Sequence, residues 1–408
     1  MARAKRLGVW LDGVEIAELE QRRWPEIRLR YTKDALGRWP QNSPLVSCSL
    51  PLTSGPQDAR HFCRGLLPEG QALQALAATA GLAVNDTFAL LARYGRDIAG
   101  ALIISDQSPT DARYDVVPYT DSTLVEALDD LPDRPLGADD DSELSLAGLQ
   151  DKLLLVKTDE GWGRPLHGRP STHILKVDDP RFPGLVAAEA HCLELARAAG
   201  LSDISPTQIR VGRHECLIVT RFDRRVGPDG TVTRVHQEDL CQALNVDHEA
   251  HRGRGKYQHA GGPSFQQCAR LLDAYAKQPL EQLDRLTCVA TFTVLIGNAD
   301  AHGKNVALVH REPEHVELAP LYDTVPTMYW PDDLKTRAAM FIGGRTDLSE
   351  VTRMDLLDET ARWGYPRERA ARAVDRTIEA VCDALDRDLV PDAALVALIR
   401  GQAAKLAG

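Results

Sequence analysis

Apolar and polar residues alternate with a period of two over Leu7–Leu11, Val14–Leu19 and Ile27–Tyr31, and Asp12 and Gly13 supply a two-residue hairpin turn. The pattern predicts β-structure over residues 7–53. Residues 56–104 change to a mainly helical pattern, with a break at Pro68, Glu69 and Gly70 and an Ala-rich helix after it, and end in the apolar run Ala101–Ile104. Residues 106–141 are rich in Asp and Pro and read as a linker. Strand-like runs return at Leu153–Val156, His173–Lys176 and Cys216–Thr220, with one strong helix between them from Leu185 to Ala199, closed by Gly200. From Phe265 onward the pattern is helical, with polar segments around Asp300 and Asp323 inserted. These elements predict an α+β protein in three stretches, 1–105, 106–246 and 247–408.

Composition narrows the class. At 408 residues the chain is long enough for more than one lobe. A net charge of -11 argues against nonspecific binding to nucleic acid or an anionic membrane, and favours a basic partner. The eight cysteines are scattered, with no CxxC pair and no zinc spacing, which reads as a reduced cytoplasmic protein with buried thiols. The basic N-terminus lacks a signal-length apolar run, and no apolar run approaches a membrane span.

Candidate chemistry concentrates between Gly297 and Asn305 and at Tyr322 and Asp323. Two acids, two amides, a His and a Lys follow directly on apolar runs. Asp300 and Asn305 are five residues apart, a spacing at which an acid orients a hydroxyl nucleophile while the amide holds a metal. Protein kinases separate a catalytic Asp and a metal-binding Asn in this way and add a second metal-binding Asp downstream, the place of Asp323 here. Upstream, the small-residue turn Ser145–Lys152 opens a strand and is able to present N–H groups to phosphates. It is neither a Walker A loop nor GxGxxG, and taken alone it reads better as a plain hairpin turn at Gly148. Lys176 ends a strand and Glu189 lies on the next helix, the order in which a kinase sets its phosphate-binding Lys and that residue's Glu partner; both also suit solvated positions. Thr220–Arg224 ends another strand where a hinge would bind adenine through backbone groups, and Arg221, Asp223 and Arg224 also suit a surface ion-pair cluster.

In this order the motifs resemble the HipA-type serine/threonine kinases, the toxins of HipA–HipB toxin–antitoxin modules. The resemblance spans nearly the whole chain: Ser49–Leu52, Gly65–Gly70 and Gly95–Ala101, then Ser145–Lys152, Thr172–Lys176, Arg221–Arg224 and Gln237–Leu244, then Lys256 and Tyr257, Gly261–Ser264, Asn298–Asn305 and Leu318–Asp323. It implies a two-lobed kinase-like fold with a β-rich N-terminal half, a helical C-terminal half and an ATP cleft. Asp300 would be the catalytic base, Asn305 and Asp323 the Mg²⁺ ligands, and His302, Lys304 and Tyr322 the lining of the nucleotide site. Ala147, Gly148, Leu149, Gln150, Asp151 and Lys152 would cover the phosphates, Lys176 would contact them with Glu189 as its ion-pair partner, and Thr220, Arg221 and Phe222 would form the hinge. Ser145 matches the serine that these kinases autophosphorylate. The implied partners are a HipB-like helix-turn-helix antitoxin, DNA only through that antitoxin, and a protein substrate, with aminoacyl-tRNA synthetases among the family's targets. Only twelve residues separate Lys176 from Glu189, where some members carry a longer, activation-loop-like segment.

Two other readings compete. A metallophosphoesterase needs Asp-x-His and Gly-Asp motifs upstream for a two-metal site, and neither stands at a usable position. A pseudokinase acting only as an antitoxin-bound co-repressor needs a degraded site, whereas every matched polar position is filled. The basic segment His251–Lys256 invites a nucleic-acid reading, but its glycines and length read as a mobile solvated loop, and its place before Gly261 also allows substrate docking.

Overall fold

The structure, a computed structural model, describes residues 5–109, 115–131, 133–136, 152–330 and 336–408. It divides into two compact units: residues 1–177, 209–238 and 309–314 in the first, and 178–208, 239–308 and 315–408 in the second.

The first unit is built on two sheets. In the five-stranded sheet the spatial order is Gln57–Asp58, Arg28–Tyr31, Val14–Gln21, Lys5–Leu11, Ile103–Ser105. Asp12 and Gly13 both take positive φ, 49° and 76°, as a tight hairpin with the twist of its strands requires. Leu7, Val9, Ile16, Leu19 and Leu29 turn inward onto the helices Arg60–Gly65, Gly70–Thr79 and Thr87–Tyr94. In the second sheet Lys152–Thr158 lies between Gly161–Leu166 and His173–Val177, with His214–Thr220 beyond the latter. Leu153 to Val156 are buried on both faces, so the run shows no alternation. Leu154 packs with the core of the five-stranded sheet, while Leu153 and Leu155 pack with Leu124, Leu128 and Leu175.

The linker expected over residues 106–141 is in part regular structure. Asp115–Pro118 pairs antiparallel with Gly161–Leu166, and Asp121–Asp129 is a helix capped by Thr120, whose Leu124 and Leu128 are buried. Acidic composition hid a helix whose apolar stripe is only two leucines wide.

A buried ion cluster lies where the segment after Thr87–Tyr94 meets the end of His214–Thr220. Arg221 donates to Asp223 at 2.9 and 2.7 Å, and Arg224 donates to Asp97 at 2.9 Å. Ser171 completes it by donating to Asp97, and the Gly100 N–H donates to Asp223. The side chains of Asp97, Arg221 and Arg224 are each 1% exposed. The ion pairs anticipated at the surface are therefore present but in the interior, with a fourth partner more than a hundred residues upstream. Burial pushes both carboxyls up, yet the two guanidiniums hold Asp97 and Asp223 below the usual carboxylate range.

The second unit is mainly helical. Pro279–Ile296 runs through its core and packs against Arg367–Asp386, Phe265–Tyr275 and Ala393–Ala407; Leu185–Ala198 packs on Arg367–Asp386. From Leu286 to Ile296 every residue is buried, and Thr287, Thr291 and Thr293 satisfy their hydroxyls on the carbonyls four residues back. The segment 251–256 is solvated only at its start: His251, Arg252 and Arg254 are exposed, whereas Gly255 sits so close to the Asp247 carbonyl that a Cβ would overlap it, and Lys256 is buried. Among the described residues no helix is long and apolar enough to cross a membrane.

Removing one member of the buried cluster strands its partners, so Asp97→Asn is expected to destabilise the protein by about 3–5 kcal/mol in urea denaturation. The lowered folded-state pKa makes this stabilisation complete above the ordinary Asp value near ~4. It is lost as pH falls below that value, so the gap between wild type and variant should narrow in acid.

Candidate active site

The helix Pro279–Ile296 ends at Gly297, which takes φ 69° and turns the chain out of the helix. The Asn298 N–H closes the motif on the Thr293 carbonyl at 3.0 Å. A Cβ on Gly297 would meet Met328, whose own N–H donates to the Gly297 carbonyl, so the close approach and the positive φ both call for glycine. Thr327 reinforces the exit, accepting from Ala299 N–H at 2.8 Å.

Within the loop, backbone and amide bonds fix each polar side chain. Asn298 Oδ1 accepts from the Asp300 N–H at 3.1 Å, and its Nδ2 reaches the Asp323 carbonyl at 3.4 Å, tying the two polar segments together. Asn305 Nδ2 donates to the Asp300 carbonyl at 3.1 Å, which turns its Oδ1 away as an acceptor. Tyr322 donates to the Lys304 carbonyl at 2.8 Å. Asp323 itself holds φ 49°, a left-handed conformation that Asp tolerates better than most residues. Asp300, Asn305, Tyr322 and Asp323 are thus brought into one hydrogen-bonded assembly.

His302 and Lys304 face inward. His302 is buried, with no hydrogen-bond partner for Nδ1 among the described residues. Burial, then the nearby Lys256 and Lys304 charges, push its pKa well below the ordinary His value and outweigh Asp323, so the imidazole is neutral. The Lys304 ammonium pairs with buried Asp239 at 2.9 Å, the residue that caps the short helix Leu240–Ala243. Tyr257 donates to Asp300 Oδ1 at 2.7 Å.

In the first unit, Lys152 and Lys176 lie directly opposite one another on neighbouring antiparallel strands, both buried. Opposite residues share a face, so the two lysines stand side by side. Thr220 ends its strand opposite His173, and the Arg221 N–H donates to the Thr172 carbonyl at 3.0 Å. Phe222 follows, half-buried, while the Arg221 side chain is committed to the buried cluster. Glu189 is buried on Leu185–Ala198 in the second unit. Ser145, Ala147, Gly148, Leu149, Gln150 and Asp151 lie outside the described residues.

Asn298, Asp239 and Tyr257 were not assigned roles from sequence. Asn298 stands within the polar segment, but Asp239 and Tyr257 are 65 and 43 residues from the groups they hold.

The donor set fits a hard divalent cation. An amide oxygen with its nitrogen already engaged, together with a carboxylate, matches Mg²⁺, which keeps water and phosphate oxygens as its remaining ligands.

Comparison with known proteins identifies the family. A profile of the HipA N-terminal domain matches residues 7–105, and one of the HipA-like C-terminal domain matches residues 144–385. The chain is 38% identical over 407 residues to the Sinorhizobium fredii protein named "Putative kinase Y4mE", covering 96% of this chain and 94% of that one. It is 30% identical over 371 residues to the serine/threonine-protein kinase toxin HipA of Shewanella oneidensis, covering 86% and 83%. In structure it resembles HipA in the Shewanella oneidensis complex of HipA, HipB and operator DNA, with a TM-score of 0.80 and 26% identity over 98% of this chain and 95% of that one. With an α+β, kinase-like fold and matches to both domains, the chain belongs to the HipA family.

Proposed function

We propose that this protein transfers the γ-phosphoryl group of ATP to a serine or threonine of a protein target, as the toxin of a toxin–antitoxin pair. The observation that carries the reading is the hydrogen-bonded assembly of Asp300, Asn305 and Asp323 at the end of a core helix. Asp300, with its side chain 48% exposed, accepts the substrate hydroxyl proton as the oxygen attacks the γ-phosphorus and ADP leaves. Asn305 and Asp323 would hold Mg²⁺, which would supply positive charge to offset that of the triphosphate. In this reading Lys152 and Lys176 contact phosphate, and the backbone at Thr220, Arg221 and Phe222 takes the adenine. His302, Lys304 and Tyr322 shape the nucleotide side of the loop. A neutral His302 supports this role, because a buried cation there would compete with the metal for the acids.

In this reading residues 147–152 contact the phosphates, and Ser145 is the autophosphorylation site. A phosphate on Ser145 would add about two negative charges beside a phosphate-binding turn and draw it away from ATP. The antitoxin partner is proposed from the relative solved with HipB and operator DNA, with DNA reached through that partner.

With labelled ATP and Mg²⁺, wild type should transfer phosphate and Asp300→Ala should lose at least about a hundredfold of the rate. Equal, absent transfer in both would mark a pseudokinase. Asp323→Asn should raise the Mg²⁺ concentration needed for ATP binding, read by calorimetry. Intact mass after incubation with ATP and Mg²⁺ should rise by one phosphate in wild type and not in Ser145→Ala; an equal gain in both would reject Ser145 as the site.

A further inference from the structure

Asp300 is half-exposed on a loop, and a half-exposed carboxylate ordinarily samples several rotamers. Here its Oδ1 accepts a hydrogen bond of 2.7 Å from the Tyr257 hydroxyl. Tyr257 is itself rigidly held. Its N–H donates to the Arg254 carbonyl at 2.9 Å, and its carbonyl accepts from Gly262 at 2.9 Å. Its ring meets the edge of buried His302 at 5.2 Å and 88° and lies 5.7 Å from His259. The preceding carbonyl, that of Lys256, accepts from the Gly303 N–H at 3.1 Å. Gly303 permits this approach because a Cβ there would run into Pro263. The segment carrying Tyr257 is therefore fastened to the loop carrying Asp300 at two points, one of backbone and one of side chain.

We infer that Tyr257 is a positioning residue for phosphoryl transfer: its phenol fixes the rotamer from which Asp300 accepts the substrate hydroxyl proton. The inference rests on the proposed role of Asp300. A phenol suits the task. It carries one proton, stays neutral at physiological pH, and so orients the carboxylate without neutralising the base as a Lys or Arg would. The other carboxylate oxygen lies 4.0 Å from His302 Nε2, beyond hydrogen-bond range, so the phenol and not the imidazole sets the orientation of Asp300 within this pair of neighbours.

Tyr257→Phe removes the hydroxyl and keeps the ring contacts. Autophosphorylation and phosphate release from labelled ATP, followed against ATP concentration, should show the maximal rate falling by on the order of tenfold or more. The half-saturating ATP concentration and calorimetric ATP binding should stay within about twofold of wild type, because the phenol does not touch nucleotide in this reading. In the double variant Tyr257→Phe, Asp300→Ala, the rate should be no lower than in Asp300→Ala alone, since Tyr257 acts through Asp300. An unchanged or raised maximal rate in Tyr257→Phe would overturn the inference. So would a loss confined to ATP binding, a general fall in binding and rate together, or a further drop in the double variant. An active wild type with an equally active Tyr257→Phe refutes the positioning role alone, whereas an inactive wild type removes the kinase reading and this inference with it.

Discussion

The helical unit depends on where one buried helix stops. Pro279–Ile296 has no solvated face over its last three turns, so its exit cannot drift without exposing core. Gly297 makes the stop abrupt, and the Asn298 N–H caps the end on Thr293. The nine residues that follow inherit a fixed origin and direction. The contacts from Asn298 across to Asp323 and from Asn305 back to Asp300 are hydrogen bonds made from that fixed origin. The candidate site is thus anchored by apolar packing upstream and tied together by the polar network.

The two units treat charge differently. In the first, Asp97 and Asp223 are removed from water together with Arg221 and Arg224 and pair with them. Such a cluster adds little net stability over apolar packing of the same volume, but it penalises any register in which one partner is missing. At the loop of the second unit Lys304 pairs with buried Asp239, and Asp300 accepts from a phenol.

Much of this was legible in sequence where the signal is local. The hairpin at Asp12 and Gly13, the helix closed by Gly200 and the five-residue spacing of Asp300 and Asn305 all depend on neighbours within a few positions. The helix Asp121–Asp129 was missed because its capping box uses Thr123 where a Glu or Gln is the usual sign, and acidic residues surround it. Lys152 and Lys176 become a pair only once the strands that carry them are known to be adjacent and in register. The ion cluster at Arg221 looked complete with Asp223 alone, since nothing near it in the chain announces Asp97.

Asp97 also bears on what the family domains mean physically. It falls within the match to the HipA N-terminal domain, while Arg221 and Arg224 fall within the match to the C-terminal domain. Yet all three are buried in one compact unit and share hydrogen bonds with Ser171, Ile98 and Gly100. A boundary drawn between the two sequence domains would cut through fully desolvated charges, leaving at least one acid or arginine without its counterion. Neither piece would keep this cluster on its own. The N-terminal domain is therefore part of the structure that sets the end of the strand His214–Thr220, and with it the backbone of Thr220–Phe222, rather than an appendage to a self-sufficient kinase.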